Sequence, residues 1–327
     1  MTGKQQGLLI LITFVTLLLN ACGTKTVLMT VTRPAEINLK NYQKIALGDF
    51  VNARGQTDQH ALDLRDAFTN QLINTNRFEV VDRQALGRIL EEQKLAISGL
   101  IDESSAPKIG KLLGASALVF GRITQDQFKE EVKQTGTYKD KKGKQHKRFK
   151  RYASYTLGVN LKIVDVQSGK ILISKELKSI QKAEATAVDK RPARIDKQNL
   201  YQKCLADIST QFRHMIAPYK VTVKAQFLVD DKVPATKRAV ALFKADEWEK
   251  GLQVLKKALN RPIPDKKLKA KVYYDLGLAQ MYLGRHEEAI QNLTRALELK
   301  PDESRYQKAL KTAKEEKKKA EKLKEQL

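Results

Sequence analysis

Cysteine is nearly absent: Cys22 and Cys204 are the two thiols in 327 residues. Two thiols cannot build a disulfide framework or a cysteine-rich metal site. The four histidines, His60, His146, His214 and His286, lie too far apart in sequence for a metal-spaced pair. There is no Walker phosphate loop and no dinucleotide-binding glycine fingerprint, and GKLLGAS at 110–116 lacks the spacing that cradles phosphate. Pairs of Asp and Glu carry no information in so charged a chain. No catalytic residue, metal ligand or cofactor is therefore expected, and an enzyme is not the expected class. No apolar run is long enough for a membrane-spanning helix, which needs ~20 residues; Leu8–Leu19 has only twelve. Acid is also in deficit, with 37 Asp or Glu against 61 Lys or Arg and a formal charge of +24.

The short apolar run has a use of its own. Lys4 precedes it and Leu19-Asn20-Ala21-Cys22 closes it, the three parts of a secretory signal. The closing residues resemble the bacterial lipobox, in which the chain is cut before the cysteine and acyl chains are placed on it. Several acyl chains on one residue hold far better than one. The expectation is a signal peptide over 1–21, lipidation at Cys22 and a lipid-anchored tether over 22–39. Gly23, in place of the Asp that retains lipoproteins at the inner membrane, favours the outer membrane, facing the periplasm. There the surplus cations meet lipid phosphates, peptidoglycan carboxylates and acidic polysaccharide, and nucleic acid is not an expected partner. Cys204, in a helical pattern, is expected to be a small buried packing residue.

From residue 40 the pattern alternates strand and helix. Lys44–Phe50 reads as a short apolar strand, and Ala61, Leu64, Phe68 and Leu72 recur with helical spacing. Short strands follow at Phe78–Val81 and Ala115–Ile123, with helices marked by Leu86, Ile89 and Leu90 and by Ile109, Leu112 and Leu113. Leu157, Val159, Leu161 and Ile163 alternate with Thr, Gly, Asn and Lys, so that strand has one wet face. Gln167–Lys170 is a tight turn into Ile171–Leu177, and Leu205, Ile208, Phe212 and Ile216 mark a further helix. Such an order predicts an α/β (α+β) sandwich, a mainly antiparallel sheet with helices packed on it.

RFEVVDRQALGRILEEQKLAISG, KIGKLLGASALVFGRI and LGVNLKIVDVQSGKILIS are similar to signature segments of the CsgG family. That family includes an outer-membrane lipoprotein exporting curli fibre subunits and is related in fold to lipoproteins such as LpoB. The resemblance implies a CsgG-like domain over 40–220, with Asp82 capping a helix and Gly169 serving a turn. In the curli exporter two hairpins per subunit join those of its neighbours in a transmembrane β-barrel. The corresponding segments here lie at 124–157 and around 175–200. A barrel strand must alternate apolar residues over about 9–11 positions, because one face meets lipid. In 124–152 Phe128, Val132 and Tyr138 are scattered among the charges without alternation, and Lys190, Arg191 and Pro192 break the second segment. A Lys or Arg facing lipid near the midplane costs about 2–4 kcal/mol. The fold is expected to carry over without the pore.

The first segment instead holds KDKKGKQHKRFKR at 139–151, with Lys139, Lys141, Lys142, Lys144, Lys147, Arg148, Lys150 and Arg151 against Asp140. It reads as the tip of a periplasmic hairpin that binds an anionic envelope polymer, lipid head groups or an acidic partner, with a solvated bystander loop as the rival reading. Residues 221–231 alternate with period two and read as a linker strand. Beyond them, Tyr273, Leu276, Gly277, Gly284, Ala289, Leu293, Ala296 and Pro301 resemble the large and small positions of a tetratricopeptide repeat. Gln280 departs, where an aromatic is usual. An earlier copy aligns Ala239, Leu242, Trp248, Gly251, Leu255 and Ala258. The expectation is an all-α domain of two tetratricopeptide repeats over 232–303, binding envelope proteins or peptides. A charged helix over 304–327 caps it and runs into solvent. The whole reads as an assembly or adaptor component of envelope secretion, surface-polymer or cell-wall machinery; the alternative is a subunit of an oligomeric export channel. The sequence leaves homo-oligomerisation open.

Overall fold

The computed structural model describes residues 23–81, 114–263 and 265–327. The signal segment, Cys22, Asp82 and the two helices expected between residues 86 and 113 lie outside them. The chain divides into two compact units, Ala35–Tyr219 and a second formed by Lys220–Glu325 with the chain up to Pro34.

In the first unit five strands form one sheet in the order β3-β2-β4-β5-β6. They are β2 (Lys44–Val51), β3 (Glu79–Val81), β4 (Ala117–Lys139), β5 (Gln145–Asp165) and β6 (Ile171–Val188). The sheet is mainly antiparallel, as expected, through the long β4–β5 and β5–β6 pairings, and it carries a short parallel portion in which β2 pairs with both β3 and β4. Helices α1 (Gln59–Asn74) and α2 (Lys197–Ile216) bury apolar stripes against it. Ala61, Leu64, Phe68 and Leu72 are all buried, and Asp58 caps α1 by accepting the Ala61 N–H at 3.0 Å. Phe68 stacks on Phe212 at 4.1 Å between ring centroids and meets Phe50 edge-on at 5.7 Å. Cys204 is buried in the same core.

The turn after β5 explains its sequence. Asp165 accepts hydrogen bonds from the Ser168 N–H (2.6 Å) and hydroxyl (2.7 Å), which hold its carboxyl below the usual range. Gly169 has φ +68°, which a residue with a side chain rarely adopts. Beyond the turn the structure departs from expectation. There is no second hairpin at 175–200: among the described residues β6 pairs only with β5, and no strand runs between Asp189 and α2.

The second unit begins where a tether was expected. Thr24–Arg33 form β1, paired with β7 (Tyr219–Leu228) in a two-stranded sheet. Gly23 opens the pairing: its carbonyl accepts the Val229 N–H at 2.6 Å, its φ is +109°, and an added Cβ would lie 2.6 Å from the Val229 oxygen. The expected linker strand is β7, and its Ala225, Phe227 and Leu228 lie in the core of this unit. Five helices follow: α3 (Pro234–Lys244), α4 (Trp248–Leu259), α5 (Lys266–Tyr282), α6 (His286–Leu299) and α7 (Ser304–Gln326). Nor is α7 simply solvated: Tyr306, Ala309 and Ala313 are buried, the buried Glu316 pairs with Arg33, and Lys317 meets Glu287 at 2.5 Å.

Asp275 on α5 fixes the sheet to the helices. It is fully buried, one carboxyl oxygen accepts the Leu228 N–H at 2.7 Å, and the other has no hydrogen-bond partner among the described residues. Burial pushes its pKa well above the usual carboxylate value. A raised acid pKa in the folded state stabilises the fold at low pH, and that contribution is lost as pH rises toward the folded value. Asp275→Asn cannot ionise. Its melting temperature is expected to fall less than that of the parent between pH 4 and pH 7.5; identical profiles in calorimetry would refute this.

Candidate functional site

The β4–β5 pairing continues without a break in strand structure from Ala117↔Asp165 to Lys139↔Gln145, well past the helices. Asp140, the one acid of the 139–151 stretch, builds its turn. Its side chain accepts the Lys142 and Lys144 N–H groups, both at 2.9 Å, and Gly143 takes φ +80°. Asp189 then clamps the tip from the end of β6, accepting the Lys147 N–H at 2.7 Å and bonding His146 Nδ1 at 2.5 Å. His146 also reaches Asp140 at 3.2 Å, and Tyr138 stacks on its ring. Asp189 and Asp140 raise the His146 pKa, so the tip gains a proton at higher pH than an ordinary histidine would.

The eight cations divide by register. Lys139, Lys141, Lys142, Lys144, Lys147 and Arg148 are exposed. Lys150 is half-buried and pairs with Glu184 at 2.5 Å. Arg151 is buried: it meets Glu130 at 2.5 Å and donates two bonds, of 3.2 and 3.0 Å, to the Pro192 carbonyl. The exposed site is therefore a six-cation tip, and Arg151 is a structural strut.

Register also sorts the ribbon's two faces. On one, Lys129, Ser154 and Lys182 form a row, followed by Glu131, Tyr152 and Glu184, then Lys133, Lys150 and Thr186. On the other, rows such as Glu130–Ala153–Ala183 and Val132–Arg151–Ala185 bear small apolar groups, with the Pro192 segment held across them. His60, remote from the tip in sequence, bonds Asp126 at 2.6 Å and stacks on Tyr201. His214 stacks on Tyr219, and burial lowers its pKa.

The second unit offers a helical surface. Gly277 lets α5 and α6 touch, since an added Cβ would lie 2.8 Å from Leu293 Cγ and 3.0 Å from the Ala289 oxygen. Leu276, Ala289, Leu293 and Ala296 are buried beside it, Tyr273 is half-buried under Arg295, and Pro301 is exposed beyond α6. Gly284 takes φ +77° at the α5–α6 turn, and Asp246 takes φ +61° at the α3–α4 turn. Gln280, buried where an aromatic is usual, donates to Glu288 at 2.6 Å and accepts from Asn292 at 2.7 Å. This polar bridge keeps both ends of the amide satisfied.

Residues 31–194, half of the chain, match the family model described as curli production assembly/transport component CsgG. Residues 270–303 match the tetratricopeptide repeat. No curated protein matches. Among solved structures, the LpoB C-terminal domain from Salmonella enterica is 15% identical, over 42% of this chain and 82% of that one, with a TM-score of 0.29. Lipoprotein GNA1162 from Neisseria meningitidis is 12% identical over 42% and 80%, with a TM-score of 0.29. A PelC dodecamer from Paraburkholderia phytofirmans is 13% identical over 57% and 97%, with a TM-score of 0.26.

Proposed function

Because the chain belongs to the CsgG family, we propose that it is a lipid-anchored adaptor of the cell envelope, held at the outer membrane through Cys22 and facing the periplasm. Its repeat unit binds envelope proteins or peptides, in support of secretion, surface-polymer assembly or cell-wall synthesis. Its six-cation tip docks on anionic polymer or lipid head groups. It works by binding and catalyses nothing.

One observation carries the choice of an adaptor over a channel subunit. A barrel strand must turn an apolar face to lipid. Here one face of the long ribbon carries Lys129, Glu131, Lys133, Lys150, Lys182 and Glu184, and the Pro192 segment lies on the other. No helix among the described residues is long and apolar enough to span a bilayer. On this reading the acyl chains on Cys22 supply the membrane hold.

Labelled palmitate separates the readings. The parent protein should incorporate it and Cys22→Ala should not; equal labelling would remove the anchor. The unlipidated variant should still sediment with envelopes at low salt and leave them at high salt, as tip docking requires. Sedimentation indifferent to salt would remove the docking. Conductance of the purified parent in planar bilayers would overturn the adaptor reading.

A further inference from the structure

A cleft of about 550 Å³ opens in the second unit between the start of α3, the end of α4 and the start of α5. Four cations line it: Lys232, Arg238, Lys257 and Arg261. Among the described residues, no carboxylate does. All four are exposed, and none forms a side-chain hydrogen bond or ion pair among the described residues. Nearby acids are already committed. Asp230 pairs with Lys271 at 2.6 Å, Asp231 pairs with Lys237, and Asp265 caps α5 by accepting the Lys267 N–H at 2.7 Å. The cleft thus keeps a strong net positive charge, offset in part at Lys232 by the Asp230 carboxylate.

Its floor is apolar. Val254, Ala258, Ile263 and Leu268 are half-buried there, beside the buried Val233 and Ala235. The N-cap of α3 is Val233, which offers no side-chain acceptor to the first turn. The positive end of that helix dipole adds to the field of the four cations. An apolar floor ringed by unpaired cations is complementary to one chemistry: carboxylates flanking an apolar side chain. A purely anionic polymer would leave the floor wet, and a purely apolar segment would leave the rim unanswered.

We propose that this cleft is the docking site for an acidic segment of a partner protein, with carboxylates on either side of an aliphatic or aromatic residue. The proposal rests on the reading of the second unit as a protein-binding unit, and it places one contact at the edge of the first repeat. The rim charges steer and select the segment, while the floor supplies apolar burial.

The test uses the full chain and fluorescein-labelled decapeptides followed by anisotropy. The probes are a Glu/Asp peptide carrying Leu and Phe at its centre, its Lys-substituted counterpart, and decaglutamate. The acidic–apolar peptide should bind, weaken with salt, and lose at least tenfold in affinity in Arg238→Glu/Lys257→Glu. Unchanged melting of that variant would show that the loss is local; a variant that does not fold is replaced by Ile263→Ser, with the same expectation. No binding, equal binding to the double variant, or equal binding of decaglutamate would each overturn the proposal. So would anionic phospholipid vesicles that bind in the peptide's place and respond to the same substitutions. Crosslinks to envelope proteins that survive the double substitution would also overturn the cleft assignment, while leaving the adaptor reading intact.

Discussion

Gly251→Val is expected to destabilise the second unit by about 3 kcal/mol. An added Cβ at this position would lie 2.3 Å from Phe243 Cε1 and 2.7 Å from Cδ1, far inside contact distance. The Phe243 ring cannot swing away. It is buried, stacked on Trp248 at 4.7 Å and packed against Phe227 at 4.9 Å. Loss of a glycine from a helix interior returns at most about 1 kcal/mol of propensity. That is smaller than the overpacking, so crowding decides the sign. The chain's one tryptophan sits in this stack, so its fluorescence during urea unfolding reports on this unit. Gly284→Ala is the control: it strains a φ of +77° but meets nothing within 4 Å, and should cost about 1 kcal/mol. A Gly251→Val loss no larger than the control's would show that the ring can yield.

Arg151→Ala should open the segment after β6. The guanidinium joins Glu130, 21 residues earlier, to the Pro192 carbonyl, 41 residues later. Removing it leaves a buried carbonyl without its donors and a partly buried carboxylate without its cation. Full burial of both would cost about 3–5 kcal/mol. The Glu130 side chain keeps 25% of its exposure, and solvent screening brings the figure to about 2 kcal/mol. Locally that is about a thirtyfold rise in the open population. Lys190 and Arg194 are exposed at the segment, and neither precedes a proline, so tryptic cleavage there should accelerate by about that factor. Lys147→Ala, on the exposed tip, should leave it unchanged. Equal rates in both variants would show that Arg151 does not hold the segment.

Both predictions concern contacts of very different legibility. Gly251 aligns from its repeat position, because a two-helix repeat needs a small residue where its helices touch. The α1 stripe and the alternation of Leu157 to Ile163 are as plain, since large apolar side chains at regular spacing leave few other folds open. β6 is harder to read. Its inward positions beyond Leu177 include Ala183, Ala185 and Ala187, too small to register as a hydrophobic face, so the second half of the strand reads as an interrupted hairpin. Strand order leaves no local trace: nothing in KIALGDF says that its neighbours run parallel to it. Arg151 is hidden by company. Among eight cations its chemistry is ordinary, and only the register of three strands sets it facing Pro192. The cleft has no signal at all, because Lys232, Arg238, Lys257 and Arg261 share neither a helix face nor a regular spacing. Asp275, one acid among many, becomes distinctive only when β7 brings the Leu228 N–H against it.

The pinned carbonyl of Gly23 bears on how far this protein can reach. Consecutive Cα atoms stand ~3.8 Å apart, so acyl chains on Cys22 would be one peptide away from a backbone already bonded to Val229. Anchored in that way, the protein would have no slack line. Its second unit would ride against the head groups as a hull does at a quay, and a client would have to come to the bilayer to meet it.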